Sequence, residues 1–210
     1  MLSSSELASG KTDNNTRAQP IKISIIVPVY NEASVIVQTL KPLQAWRGRG
    51  LEVIVVDGGS RDQTADLAEP WVDRYLYSAP GRGQQMNAGA AQSAGECLMF
   101  LHADTLLPAH FFETLVNVLN GSMQWGFFPV RLSGRDWLLR WVERGMNLRS
   151  RLTSVATGDQ AIWLSWCLWQ KLGGFKCIAL MEDVELSKRM RKVLKPHIAS
   201  RPLSTSSRRW

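Results

Sequence analysis

Cysteine is scarce in this sequence: Cys97, Cys167 and Cys177 are the three in 210 residues, widely spaced and without a C-x-x-C pair. That excludes a disulfide framework and a cysteine zinc site, and the three read as buried, reduced thiols. Long apolar runs are missing too. None approaches the roughly 18 residues of a membrane span, and no basic-then-apolar stretch marks a secretory signal, so the expectation is a cytoplasmic protein. Acidic residues are absent from Ser187 to the end, where eight Lys or Arg stand. Residues 131–152 add six Arg against Asp136 and Glu143. Of the net charge of +7, the two segments hold +8 and +4, which leaves the rest of the chain at −5. A basic surplus confined in this way suits phosphates, an acidic acceptor or an anionic membrane surface. No nucleic-acid-binding module is recognisable, so nucleic acid is not expected as a partner.

What is present is a rhythm of strands and helices. Residues 1–20 are rich in Ser, Asn, Thr and Lys with almost nothing to bury, and read as a disordered tail. With 45% hydrophobic residues in the chain, residues 21–210 suffice for one domain with a sizeable core. The apolar run over residues 23–29 is the first strand, after which Asn31 and Glu32 open a helix with Ile36, Leu40 and Leu43 on one face. Residues 51–56 form the second strand. It stops at Asp57, Gly58 and Gly59, where Ser60 and Gln63 have capping-box spacing. Residues 75–77 are a short third strand, and a turn at Gly81, Arg82 and Gly83 leads into a helix through Met86 and Ala90. Strands and helices alternating at this rhythm mean parallel βαβ units, an α/β fold with a mostly parallel central sheet flanked by helices.

The stretch 98–105 is the centre of the pattern. Largely apolar residues end abruptly at His102, Ala103 and Asp104, as in a strand buried on both faces whose end carries an acid into a crevice. Ligands bind at such strand ends in open α/β sheets. Asp104 is suited to holding a divalent cation there, and equally to capping a helix begun at Pro108. Asp57 ends the second strand in the same manner. Arg82, between two glycines, offers a guanidinium and backbone N–H groups to a diphosphate, or is a solvated turn residue. Gly158, Asp159 and Gln160 precede the apolar residues 161–164, which makes Asp159 another acid at a strand boundary.

Four stretches in this order resemble family 2 glycosyltransferases of the GT-A (Rossmann-like) fold: Ile-Val-Pro-Val-Tyr-Asn-Glu over 26–32, Val-Val-Asp-Gly-Gly-Ser-Arg-Asp over 55–62, His-Ala-Asp over 102–104 and Glu-Asp-Val-Glu-Leu over 182–186. The likeness runs from about Ile21 to the end and is nearest a small cytosolic branch carrying His-Ala-Asp and Gly-Asp-Gln. It implies a metal-dependent, inverting transfer of a sugar from a nucleotide-diphosphate sugar to an acceptor hydroxyl. By position, Pro28, Tyr30 and Glu32 would line the nucleotide pocket, Asp57 would contact the base, and Asp104 would coordinate Mg²⁺ or Mn²⁺. Asp183 would be the catalytic base, with Asp159, Gln160 and Glu182 on the acceptor side. Two residues depart from the family pattern: Gly58 replaces the second Asp of Asp-Asp-Gly-Ser, and His102 replaces the first Asp of Asp-x-Asp. His102 reads as a hydrogen-bond donor to the sugar nucleotide, a second metal ligand or a structural residue. Arg208, Arg209 and Trp210 are similar to an Arg-rich element near the diphosphate in relatives, and also fit a frayed tail.

Two local patterns remain. Residues 137–152 read as an amphipathic helix with Leu138, Trp141, Gly145, Leu148 and Leu152 on one stripe and Arg140, Arg144 and Arg151 on another. Such a helix packs on its own sheet, and its Trp and Arg content also suits peripheral membrane contact. Glu182 and Asp183 open a helix whose face is Leu186, Met190, Val193 and Leu194, a place where the macrodipole favours acids in any case. Alternative readings are a nucleotidylyltransferase, against which Tyr30, Asn31 and Glu32 stand where a glycine-rich loop is needed, and a non-catalytic nucleotide-sugar or membrane-surface binder, against which both Asp104 and Asp183 stand.

Overall fold

Strand β1 (Ile23–Val29) is buried along its whole length, as a central strand covered on both faces must be. The computed structural model describes residues 22–121, 124–134 and 136–207. The expected tail over 1–20 and the Arg208, Arg209 and Trp210 element lie outside these residues. β1 is followed by a short helix α1 (Ile36–Leu40), continued by a tighter turn over Lys41–Ala45. Next come β2 (Leu51–Asp57), α2 (Thr64–Ala68), β3 (Arg74–Tyr77), α3 (Arg82–Ala91), β4 (Cys97–Phe100), β5 (Thr105–Leu106) and α4 (Phe111–Asn120). The rest of the chain adds β6 (Trp125–Phe127), β7 (Val130–Leu132), α5 (Trp137–Thr153), β8 (Trp163–Ser165), α6 (Trp166–Leu172), α7 (Glu182–Val193), β9 (His197–Ile198) and β10 (Leu203–Thr205).

Seven strands form one sheet in the order β3-β2-β1-β4-β8-β6-β9, and three form a second in the order β5-β10-β7. β3, β2, β1 and β4 run parallel, whereas β8 is antiparallel to both β4 and β6. This is the expected α/β architecture. The register sets Val29 beside Asp57 and Asp57 beside Tyr77, so three strands release their loops at one level.

Side chains alternate across the sheet and divide the core in two. On one face Ile23, Ile25, Val27, Val53 and Val55 pack with Ile36, Leu40 and Phe111. On the other, Ile26, Ile54, Val56, Leu98 and Phe100 pack with Met86 and Ala90 of α3 and with Leu186 and Met190 of α7. α3 lies close because Gly89 has no side chain: a Cβ there would meet Ile26 Cγ2 at 2.5 Å.

Several local expectations are corrected. α2 begins at Thr64, and Asp62 rather than Ser60 accepts its first N–H, at 3.0 Å. Arg82 is the first residue of α3, not part of the turn before it. α4 starts at Phe111, so Asp104 does not cap it. Only Cys97 of the thiols is buried, where desolvation pushes its ionisation well up; Cys167 and Cys177 are exposed. Val193 and Leu194 are also exposed, although the Leu194 carbonyl accepts the Trp125 indole N–H of β6 at 2.8 Å. No described helix is long and apolar enough to cross a membrane.

Candidate active site

The loops after β1 and β2 form one wall. Asp57 is 1% exposed, and its Oδ1 accepts the N–H groups of Gly59 (2.9 Å) and Ser60 (2.7 Å) and the Ser60 hydroxyl (2.8 Å). Its Oδ2 accepts the Tyr75 hydroxyl at 2.7 Å. Burial, and then this bond to a carboxylate, push the Tyr75 phenol far above its ordinary value. The β1 loop is stitched to the same turn. Asn31 adopts a left-handed conformation, which its short polar side chain tolerates. It gives its N–H to Ser60 Oγ (2.9 Å) and accepts the Arg61 N–H (2.8 Å), while the Glu32 N–H donates to Thr64 Oγ1 (2.8 Å). Tyr30 projects from this wall, 56% exposed. Pro28 is buried in β1 beside Val56, so it shapes the strand rather than lining an open pocket.

Beneath Gly58 lies a residue that sequence reasoning missed. Gln85 of α3 is buried, and its amide donates to the carbonyls of Val29 and Val56, both at 2.8 Å. A Cβ at Gly58 would lie 3.1 Å from Gln85 Cδ. Glycine at this departure from the family pattern is therefore matched to the glutamine that locks the ends of β1 and β2. The signal was a polar residue on the inward face of a helix otherwise lined by Met86, Gly89 and Ala90.

The opposite wall gathers residues from distant parts of the chain. The loop between α5 and β8 makes a single tight turn over Gly158–Gln160, and α7 begins beside it. Asp183 accepts the Gly158 N–H through Oδ2 and the Val184 N–H through Oδ1, the latter at 2.6 Å. His102, just past β4, is buried under the same turn with Nδ1 3.1 Å from Asp159 Oδ1. A Cβ at Gly158 would clash with His102 Nε2 and lie 3.2 Å from Asp183 Oδ2. Gln160 is a correction to its expected place on the acceptor side: it is fully buried, and its Oε1 accepts the Ser150 hydroxyl (2.9 Å) and the Thr157 N–H (3.0 Å). It anchors the turn to α5.

Glu182 and Asp183 do different things, as adjacent helix residues must. Glu182 is buried and faces Arg82 Nε at 4.0 Å, beyond hydrogen-bond reach. Further along α7, burial would raise the Glu185 carboxyl, but Arg189 and Lys176, at 2.6 and 2.9 Å, hold it below the usual range. Ser187 clamps the chain before the tight turn, exchanging bonds with the N–H and carbonyl of Ala156.

Asp104 stands between the two walls in sequence and is fixed from both sides. The Thr39 hydroxyl donates to the Ala103 carbonyl at 2.6 Å, and the Ser206 N–H donates to the Asp104 carbonyl at 3.3 Å. Asp104 lines a cavity of about 140 Å³ with Gln38, Thr39, Ser133, Ser204 and Ser206 among its neighbours.

Strand-end acids on an α/β sheet have many uses, and sequence relationship narrows them. A model of the family described as glycosyl transferase family 2 matches residues 24–163. The chain belongs to glycosyltransferase family 2. Within that family, an uncharacterized glycosyltransferase of Mycobacterium tuberculosis is 31% identical over 186 residues, 83% of this chain and 70% of the relative. The chain spans less than half the length of other curated relatives, among them a glycosyltransferase of Rickettsia typhi, 34% identical over 101 residues, which are 47% of this chain and 32% of that one. The GT-A fold expected for the family is also that of solved structures. S. aureus TarS in complex with UDP-GlcNAc superposes with a TM-score of 0.73 at 18% identity, over 90% of this chain and 59% of that one. Glucosyl-3-phosphoglycerate synthase of M. tuberculosis, in complex with Mn²⁺, UDP and phosphoglyceric acid, gives 0.63 at 21% identity, over 89% and 68%.

Proposed function

We propose that this chain transfers a sugar from a nucleotide-diphosphate sugar to an acceptor hydroxyl by single displacement, with Asp183 as the base. The observation that carries the reading is the Asp183 carboxylate, held by the Gly158 N–H at the start of α7 and only partly buried. A carboxylate has about four lone-pair sites, so one backbone bond on each oxygen leaves capacity to accept a proton. An acceptor oxygen then bonds to the anomeric carbon, the bond to the diphosphate breaks with its electrons on the diphosphate, and the acceptor proton passes to Asp183. Attack opposite the departing group inverts the anomeric centre. A positioned base contributes about 10² to 10⁴ in rate.

The preformed wall of Tyr30, Glu32 and Asp57 suits the nucleotide, with Asp57 acting chiefly through the loop it holds. Arg82, at the start of α3, suits the diphosphate. Asp159 and Glu182 flank Asp183 on the acceptor side, and His102 is a positioning residue that ties the β4 end to Asp159. Both TarS and the mycobacterial synthase bind uridine nucleotides, which supports a nucleotide-sugar donor.

Among the described residues no three His, Cys, Asp or Glu side chains form a ready-made ion cage. Mg²⁺ is commonly held by one or two carboxylates together with substrate phosphates, and Asp104, fixed on both sides, fits that part. It would hold Mg²⁺ or Mn²⁺, whose charge would offset that of the diphosphate as it departs.

Donor binding is read by thermal shift across UDP- and GDP-sugars with Mn²⁺, and transfer or donor hydrolysis by nucleotide release. Asp183→Asn should melt like wild type and keep the donor-induced shift while turnover falls at least about a hundredfold. Near wild-type turnover, or a product of retained configuration, overturns the assignment. A donor shift undiminished in EDTA overturns the metal role alone.

A further inference from the structure

Helix α5 carries one apolar face more than a helix that merely covers a sheet needs. Its inward side packs Met146, Leu139 and Val142 against the core and adds polar anchors: Asn147 bonds both the N–H and the carbonyl of Val130 (2.8 Å each), Glu143 accepts the Leu132 N–H (3.2 Å), and Ser150 donates to Gln160. A second set of large apolar side chains points out. Trp137, Leu138, Trp141, Leu148 and Leu152 are all more than half exposed, with Trp141 at 63% and Leu152 at 77%. At 3.6 residues per turn they and Gly145 fall within an arc of about 100°.

The charges border this arc. Arg144 and Arg151 run along one edge and Arg149 along the other, and the Arg144 guanidinium sits 5.6 Å from the centre of the Trp141 ring. α5 carries four Arg and one acid, Glu143, which is turned inward and paired with Arg140 at 2.7 Å. Asp136, before the helix, spends its carboxylate on the Leu138 N–H. The exposed stripe is thus apolar at its centre, cationic at both edges and free of acids.

We propose that α5 is an interfacial helix that seats the chain on an anionic lipid bilayer. An apolar stripe rich in Trp and Leu enters the boundary between headgroups and acyl chains, while arginines at its edges meet lipid phosphates. Pairing with a second copy is the poorer match, because it would bring arginine rows together with no acid on either stripe. Docking stands apart from the transferase reading, yet it bears on it: Ser150 ties the end of α5 to Gln160, so the turn that holds Asp183 would lie near the membrane surface.

The test is flotation of the full chain with phosphatidylcholine vesicles containing about half phosphatidylglycerol, against phosphatidylcholine alone. Wild type should float with the anionic vesicles at low salt and several-fold less near 1 M salt, where screening shortens to about 3 Å. Trp141→Glu with Leu148→Glu should lower the bound fraction at least about tenfold, and Arg144→Glu with Arg151→Glu at least about fivefold. All four side chains are exposed, so both variants should melt like wild type; if one does not, the other pair carries the comparison. Wild type that stays unbound at low salt, or both variants floating like wild type, overturns the proposal. So does a concentration-dependent dimer that both variants abolish when no vesicle binding is seen, which assigns the stripe to a second copy.

Discussion

The loops after β1 and β2 close their hydrogen bonds among themselves, whereas the cluster around Asp183 does not. Asp57 receives four donors, and Asn31, Ser60, Asp62 and Thr64 are cross-bonded around it. On the other side, His102 Nε2, Gln160 Nε2 and Glu182 Oε1 are buried with no hydrogen-bond partner among the described residues. A buried polar group left unpaired costs about 1–3 kcal/mol. The first wall is therefore a rigid cradle braced by its own bonds, and the second carries buried polar groups that hydrogen-bond to none of the described residues. Such groups concentrate where a site trades stability for chemistry.

The strongest way to break this contrast is Gly158→Ala. A methyl group there collides with His102 and crowds Asp183, so turnover should fall at least about a hundredfold, the scale of a misplaced base. Wild-type turnover by this variant would mean that the His102–Gly158–Asp183 arrangement does not govern activity. On the rigid wall the largest effect should be on stability. Asp57→Ala strips four donors of a buried acceptor, at a cost of about 3 kcal/mol, read as a lower melting temperature without ligand. A shift under about 2 °C would show that the cradle is not rigid through Asp57. Tyr75→Phe removes one of those donors and should cost about 1–2 kcal/mol. If it matched Asp57→Ala, the turn bonds would be contributing nothing.

The smallest effect concerns pH. Arg189 and Lys176 hold the folded Glu185 carboxyl below its unfolded value. Its contribution is present above the unfolded value and is lost as pH falls through the folded one. Glu185→Gln should flatten the fall in melting temperature between pH 7 and about pH 3, by less than about 1 kcal/mol for a pair this accessible. Identical slopes for the two proteins would sink that assignment.

The order of βα units, both early strands and the acids at their ends were legible because each is a local signal: an apolar run, then glycines or an acid. β1 spans residues 23–29 as its composition indicates, and β2 runs one residue past the expected end to include Asp57. The four family motifs were equally local. What the sequence left open was orientation and company. Periodicity found two stripes of α5 but not that a third face turns inward, because that depends on where β7 offers backbone groups to Asn147 and Glu143. Gln160 and Pro28 carried motif positions, and their burial became visible only in the structure.

The sequence by itself determined that an α/β sheet of this family would deliver acids to its strand ends, since hydrophobic runs and turn residues act over a few neighbours. Only the tertiary structure decided which acids meet. His102 and Asp159 are 57 residues apart, Gly158 and Asp183 are 25 apart, and Gln85 reaches carbonyls 56 and 29 residues away. Those meetings follow from β8 pairing antiparallel with β4 and from α7 packing under the sheet beside α3. Pairings across such separations are set by packing of the whole chain, which no local pattern encodes.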